Sequence, residues 1–287
     1  MNRKFVNEES GADRNAPIGI FDSGLGGLTV FKAIKKLLPN ENFVYLGDTA
    51  RVPYGSKSRQ TVQRFSEQIC QFLLDIPVKA IVIACNTASS AALDYLESKV
   101  TVPIIGVIRP GVKALIQRGA RMVGILGTSG TINSGTYLKA LEAAGFSGET
   151  ESQACPLFVP LVEEGWHNHV VTEQVARLYL QQMIMHSPDA LILGCTHYPL
   201  LEPVLRRLLP KTFIIDSPAA VARDLATLLE EKALLRQSDA PGSTRFYITD
   251  LPQKFEELSR QFLGYELKNL EKLPIETLER YTEKHSC

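Results

Sequence analysis

Two cysteines at the ends of two similar apolar runs hold the chemistry that this sequence offers. Ala80-Ile81-Val82-Ile83-Ala84 leads into Cys85-Asn86-Thr87, and Ala190-Leu191-Ile192-Leu193-Gly194 leads into Cys195-Thr196-His197. A continuous apolar run of strand length predicts a strand buried on both faces, and in open parallel sheets ligands sit at the carboxyl ends of the strands. A thiol placed there, ahead of small polar residues that open a helix, meets backbone N–H groups and a positive dipole end, which favours thiolate. Two thiols facing each other across a cleft suit inversion of a small carbon acid. One thiolate takes an α-proton, and the other thiol returns a proton to the opposite face. A carboxylate beside a thiol could hold its proton, and the Asn-Thr and Thr-His pairs could supply donors to a developing carbanion.

The elements that must position these thiols repeat as well. Ile18-Gly19-Ile20-Phe21-Asp22-Ser23-Gly24 is echoed by Val123-Gly124-Ile125-Leu126-Gly127-Thr128-Ser129-Gly130. Ile104-Ile105 and Ile214-Ile215 stand at the same offset beyond the two cysteines. The expected fold class is therefore α/β: two pseudo-symmetric, mostly parallel open-sheet domains with helices on both faces and the active site in the cleft between them. Residues 1–16 read as a polar, disordered leader. Residues 17–109 with 218–287 form a first, discontinuous domain, and 110–217 a second, with Pro110-Gly111 marking the crossing.

Along the chain, Asp22-Ser23-Gly24-Leu25-Gly26-Gly27 is a glycine-rich turn after a strand. It lacks the Lys-Ser/Thr pair of a phosphate loop, and an Asp beside a Ser suits an ammonium group better. Helix-capping alone would account equally well for Ser23. Gly47 to Ser58 reads as a loop of binding-site type, with Asp48 and Arg51 expected as a solvated pair. Helices are expected at Leu28–Leu38, Ser58–Leu74, Val170–Met185, Ala219–Leu235 and Lys254–Phe262, and a last strand at Tyr265–Leu270. Cys70 reads as core and Cys287 as an exposed tail residue. Glu163-Glu164 reads, on composition, as a wet helix end. His167, His169 and His186 lack metal-ligand spacing, so no metal is expected.

Bulk properties exclude several classes. Lys+Arg 31 balances Asp+Glu 31, leaving no electrostatic case for nucleic acid or an anionic membrane. No apolar run spans a membrane, and the polar N-terminus is no secretory signal. Five cysteines in 287 residues do not make a disulfide framework and fit a reducing cytoplasm. No lysine stands in a context for a pyridoxal Schiff base, so no cofactor is expected. A monomer or homodimer is expected.

Four segments together resemble the glutamate racemases of the cofactor-independent aspartate/glutamate racemase superfamily. They are Phe21-Asp22-Ser23-Gly24, Gly47 to Gly55, Ala84-Cys85-Asn86-Thr87-Ala88 and Gly194-Cys195-Thr196-His197-Tyr198-Pro199. The resemblance implies interconversion of L- and D-glutamate, supplying D-glutamate for peptidoglycan. It implies Cys85 as the acid/base for the D-enantiomer and Cys195 for the L-enantiomer, with Asp22, Glu164 and His197 assisting, against the composition-based reading of Glu164. It implies substrate contacts at Asp22, Ser23, Pro53, Tyr54, Gly55, Asn86, Thr87, Thr196 and His197, with Thr128 and Thr131 in a further contact turn. The polar leader resembles that of members activated by a UDP-muramoyl-alanine precursor, while Gly47-Asp48-Thr49-Ala50-Arg51 looks more like members without that control. The rivals are a racemase for aspartate or another acid, a two-lobed amino-acid binder, and thiol redox or hydrolytic chemistry. A redox site would need a disulfide between distant halves, since no Cys-x-x-Cys is present.

Overall fold

Each apolar run forms the strand that its composition predicts. The computed structural model describes residues 13–251, 255–267 and 269–283. Most of the expected leader, Lys254 and Cys287 lie outside the described residues. The first half runs β1 (Ile18–Asp22), α1 (Leu28–Leu37), β2 (Phe43–Gly47), α2 (Arg59–Asp75), β3 (Ala80–Ile83), α3 (Asn86–Glu97), β4 (Ile104–Gly106) and α4 (Ile108–Arg118). The second begins with β5 (Met122–Gly127), α5 (Ser129–Asn133), α6 (Thr136–Ala143), β6 (Glu149–Ala154), α7 (Phe158–Glu163), α8 (Val170–Tyr179) and α9 (Gln181–His186). It continues through β7 (Ala190–Gly194), α10 (Glu202–Leu208), β8 (Phe213–Ile214) and α11 (Ser217–Glu231). The described chain closes with β9 (Thr244–Ile248), α12 (Phe255–Leu263), β10 (Leu270–Lys272) and α13 (Ile275–Glu283).

Two parallel sheets result, in the orders β10-β9-β2-β1-β3-β4 and β6-β5-β7-β8. Without β9 and β10, the first order is the second. Phe21 lies opposite Ile83 and Leu126 opposite Leu193, so the repeats coincide residue for residue up to the two cysteines. Asp22 thereby occupies the place of Gly127, and Thr87 that of His197. The order reverses beside β1 and β3 in one sheet and beside β5 and β7 in the other, the usual place for a ligand crevice.

Strands β1, β2, β3 and β7 are buried at every residue because helices cover both faces. Leu28, Val30, Phe31 and Ile34 of α1 lie on one face of the first sheet, with α11 packed between α1 and α4. Leu73 of α2, Leu96 of α3 and Leu278 of α13 belong to the cluster on the other face. Truncating any such residue to alanine costs about 2–5 kcal/mol, so strand ends are rigid mounts for the loops.

Several expectations shift. Pro110 and Gly111 lie inside α4, so the passage between sheets is helical. The expected long helix from Val170 breaks at Leu180 into α8 and α9. Ala176, Leu180 and Met183 keep one buried stripe through the break, which is why the pattern reads as continuous. The last strand is β10 rather than Tyr265–Leu270, and α13 follows it. Among the described residues no helix is long and apolar enough to cross a membrane.

Candidate active site

Strand β3 delivers Cys85 to the N-cap of α3, with φ −75° and ψ 127°. Its sulfur accepts the Ala88 N–H at 3.4 Å and faces the Ser23 hydroxyl at 3.6 Å. The cysteine itself thus caps the helix. Burial pushes the Cys85 thiol up to about 12, and Asp22 adds to it; the Ala88 N–H and Ser23 pull the other way and lose. The expected lowering by the helix start is therefore reversed, because desolvation outweighs one amide. Asp22, fully buried at the end of β1, accepts the Gly24 N–H at 2.9 Å and lies 3.5 Å from the Thr196 hydroxyl. Burial raises its carboxyl above the usual range, against the pull of His197 and the loop amides.

Strand β7 delivers Cys195, whose sulfur lies 3.9 Å from Nδ1 of His197. Nε2 of the same ring lies 3.1 Å from Oε1 of Glu163. Burial pushes this imidazole down, yet its hydrogen bonds to Cys195 and Glu163 carry it up to about 10. Phe262 of α12 meets the ring edge-on, centroids 5.3 Å apart.

The acid on His197 is Glu163 and not Glu164. Glu164 is the exposed C-cap of α7. Neighbouring helical residues point about 100° apart, so only one of the pair can face the imidazole. A signal was present, since Val159 and Glu163 lie one turn apart on the stripe beside buried Phe158 and Val162.

Asp48 and Arg51 do pair, at 2.6 Å, but as a buried pair rather than a solvated one. Asp48 also accepts the Tyr54 hydroxyl and, at 3.0 Å, that of Thr249 from the C-terminal segment. Three side-chain partners of Asp48 thus fix the Pro53-Tyr54-Gly55 wall. A Cβ on Gly55 would lie 2.7 Å from Cβ of Thr128, so only glycine allows the two halves to meet there. The Thr87 hydroxyl reaches those of Thr128 and Thr131 at 3.0 and 3.3 Å, and the Tyr137 hydroxyl donates to Oδ1 of Asn86 at 2.7 Å.

These walls line a cavity of about 30 Å³. Every site residue expected from the sequence lines it except Asp22, Thr131 and Glu164; Val52, Val159 and Glu163 complete it. Tyr137 and Phe262 touch Asn86 and His197 from outside the cavity, and nothing in their local sequence marks them. Among the described residues no group of three or more His, Cys, Asp and Glu side chains is arranged to hold a metal ion.

Residues 18–225 match the profile of the Asp/Glu/Hydantoin racemase family. A glutamate racemase of Geobacter metallireducens is 44% identical over 262 residues, 90% of this chain and 97% of that one. The crystal structure of glutamate racemase from Francisella tularensis, in complex with D-glutamate, aligns with a TM-score of 0.86 at 41% identity, covering 92% of this chain and 99% of that one. That of Thermus thermophilus, in complex with β-chloro-D-alanine, aligns at 0.83 and 45% identity with the same coverage. Two thiols at matched strand ends, likeness along nine-tenths of the chain and a shared fold agree: the chain belongs to the Asp/Glu/hydantoin racemase family, among its glutamate racemases.

Proposed function

We propose that this protein interconverts L- and D-glutamate by proton transfer at Cα between Cys85 and Cys195. The observation that carries this reading is that two thiols from corresponding strands of a repeat line one cavity. From L-glutamate, the Cys195 thiolate takes the α-proton and the Cys85 thiol delivers its own to the opposite face. Cys85, pushed up by burial, suits the donor role in that direction. From D-glutamate the roles exchange, and the substrate ammonium, gripped by Asp22 and Ser23, lowers the cost of a Cys85 thiolate. His197, held by Glu163 within reach of the Cys195 sulfur, takes and returns that thiol's proton. Asn86, Thr87, Thr128 and Thr196 offer donors to the carboxylates and to the carbanion. The product serves peptidoglycan synthesis. The free thiols of Cys85 and Cys195 suit the reducing cytoplasm.

Proton NMR of L-glutamate in heavy water, without added cofactor, tests the reading. The unaltered protein should wash out the α-proton signal and the optical activity together. Cys85→Ala should leave exchange of L-glutamate without inversion, and Cys195→Ala exchange of D-glutamate alone. Inversion that survives loss of either thiol would sink the two-base mechanism.

A further inference from the structure

Two wider clefts adjoin the thiol cavity. One, of about 450 Å³, shares Thr87 with it; the other, of about 360 Å³, shares Asn86, Cys195 and Thr196. Their charges differ in sign. Lys57, Arg59, Arg109 and Lys139 line the first against one acid, Asp94. The second sets Glu202 and Asp216 against Arg206. Because Lys+Arg and Asp+Glu are equal over the chain, the cations of the first cleft are a local concentration and not a general background. Arg109 is paired with Asp94 and Glu97, whereas Lys57, Arg59 and Lys139 make no ion pair among the described residues.

The partition between the cationic cleft and the thiols is light. It consists of neutral hydrogen bonds among Thr87, Thr128 and Thr131, and of the backbone of Gly55 resting against Gly130. Each of these contacts except the Thr128–Thr131 bond joins one half to the other, and water can replace each hydroxyl partner as the halves part. We propose that this cleft is the route by which the anionic substrate reaches the thiols, and that its cations set the rate of capture. This rests on the reading of the substrate as glutamate, which carries one net negative charge at neutral pH. A cleft lined by one sign of charge focuses the field and raises association rates by about 10- to 1000-fold, an effect that salt removes.

The test compares kcat and kcat/KM for glutamate in the unaltered protein, the double variant Lys57→Glu/Lys139→Glu, its neutral counterpart Lys57→Gln/Lys139→Gln, and Arg206→Glu. At low ionic strength the charge reversal should lower kcat/KM about tenfold and the neutral pair about threefold. In both, kcat should stay within about twofold, and the gap should close near 0.5 M salt, where the screening length is only a few ångströms. Arg206→Glu, in the other cleft, should change kcat/KM by less than about twofold. An unchanged kcat/KM, a loss that salt does not relieve, a loss lying in kcat, or a larger loss in Arg206→Glu would each overturn the route. Absence of glutamate turnover in the unaltered protein would instead overturn the functional reading, and the route with it. Turnover indifferent to these charges overturns the route alone.

Discussion

Asp22 ends β1 with no exposed surface, and the loop amides around it offset only part of the cost of burying its charge. Its carboxyl is raised, so the native state holds the proton more tightly than the unfolded chain. Stability from this group is therefore present at low pH and lost as pH rises from the ordinary carboxyl range through the folded value. Asp22→Asn removes that loss. Calorimetry should show the variant more stable than the unaltered protein at pH 8 by about 1 kcal/mol, with the gap narrowing toward pH 4. Its kcat should fall at least about tenfold. A variant less stable at pH 8 would show that the amides, not burial, dominate at Asp22. At the other thiol, Glu163→Gln should lower kcat about tenfold by weakening the support of His197, while Glu164→Gln stays within about twofold. Equal losses in steady-state assays would reject the assignment of Glu163.

At the scale of elements, the turn after β1 is held to fit the opposite half. A Cβ at Gly26 would lie 2.3 Å from the Thr196 hydroxyl and 2.6 Å from Nδ1 of His197. Gly26→Ala should therefore push Thr196 and His197 away from the cavity and cut kcat/KM about 100-fold, with the melting temperature falling by a few degrees. Activity near that of the unaltered protein would mean that the turn shifts freely. The strands carrying Cys85 and Cys195 were legible because burial on both faces leaves an unbroken apolar run, which few other structures produce. The repeat was legible because the same constraint acts twice. What composition could not supply is which way a polar side chain turns within its loop. Asp48 and Arg51 look like any surface pair, and their burial depends on Thr249, far along the chain. Glu163 and Glu164 differ by one step of a helix. Leu180 hides a break behind an intact apolar period, and β10 is too short to leave a pattern.

Taken whole, the molecule is two sheets that meet at a space of about 30 Å³ lined by both thiols, with a cleft of about 360 Å³ reaching Cys195 from the side. The contacts across the cleft fix how closely the halves meet. Tyr137 to Asn86 is a buried contact of this kind, joining α6 to the first turn of α3. Tyr137→Phe should lower stability by about 1 kcal/mol and raise KM several-fold, since a loosened Asn86 holds the substrate less well. A KM unchanged within error, with stability lowered as stated, would confine this bond to a structural role.

The register that pairs Phe21 with Ile83 and Leu126 with Leu193 makes the thiols near-equivalent, yet the helpers around them are not. A carboxylate stands on one side where the other has Gly127, and an imidazole where the first has Thr87. Mirror-image substrates have the same free energy in water, so their equilibrium constant is one whatever the catalyst. The ratio of kcat/KM for the two enantiomers is thereby pinned at one, in the unaltered protein and in every variant. A change at Glu163 or Asp22 that hinders removal of a proton from one enantiomer must lower kcat/KM for the other equally. Unequal helpers are free only to exchange turnover against saturation within each enantiomer. The lopsided pocket governs how long each hand of the substrate stays bound, and never which hand prevails.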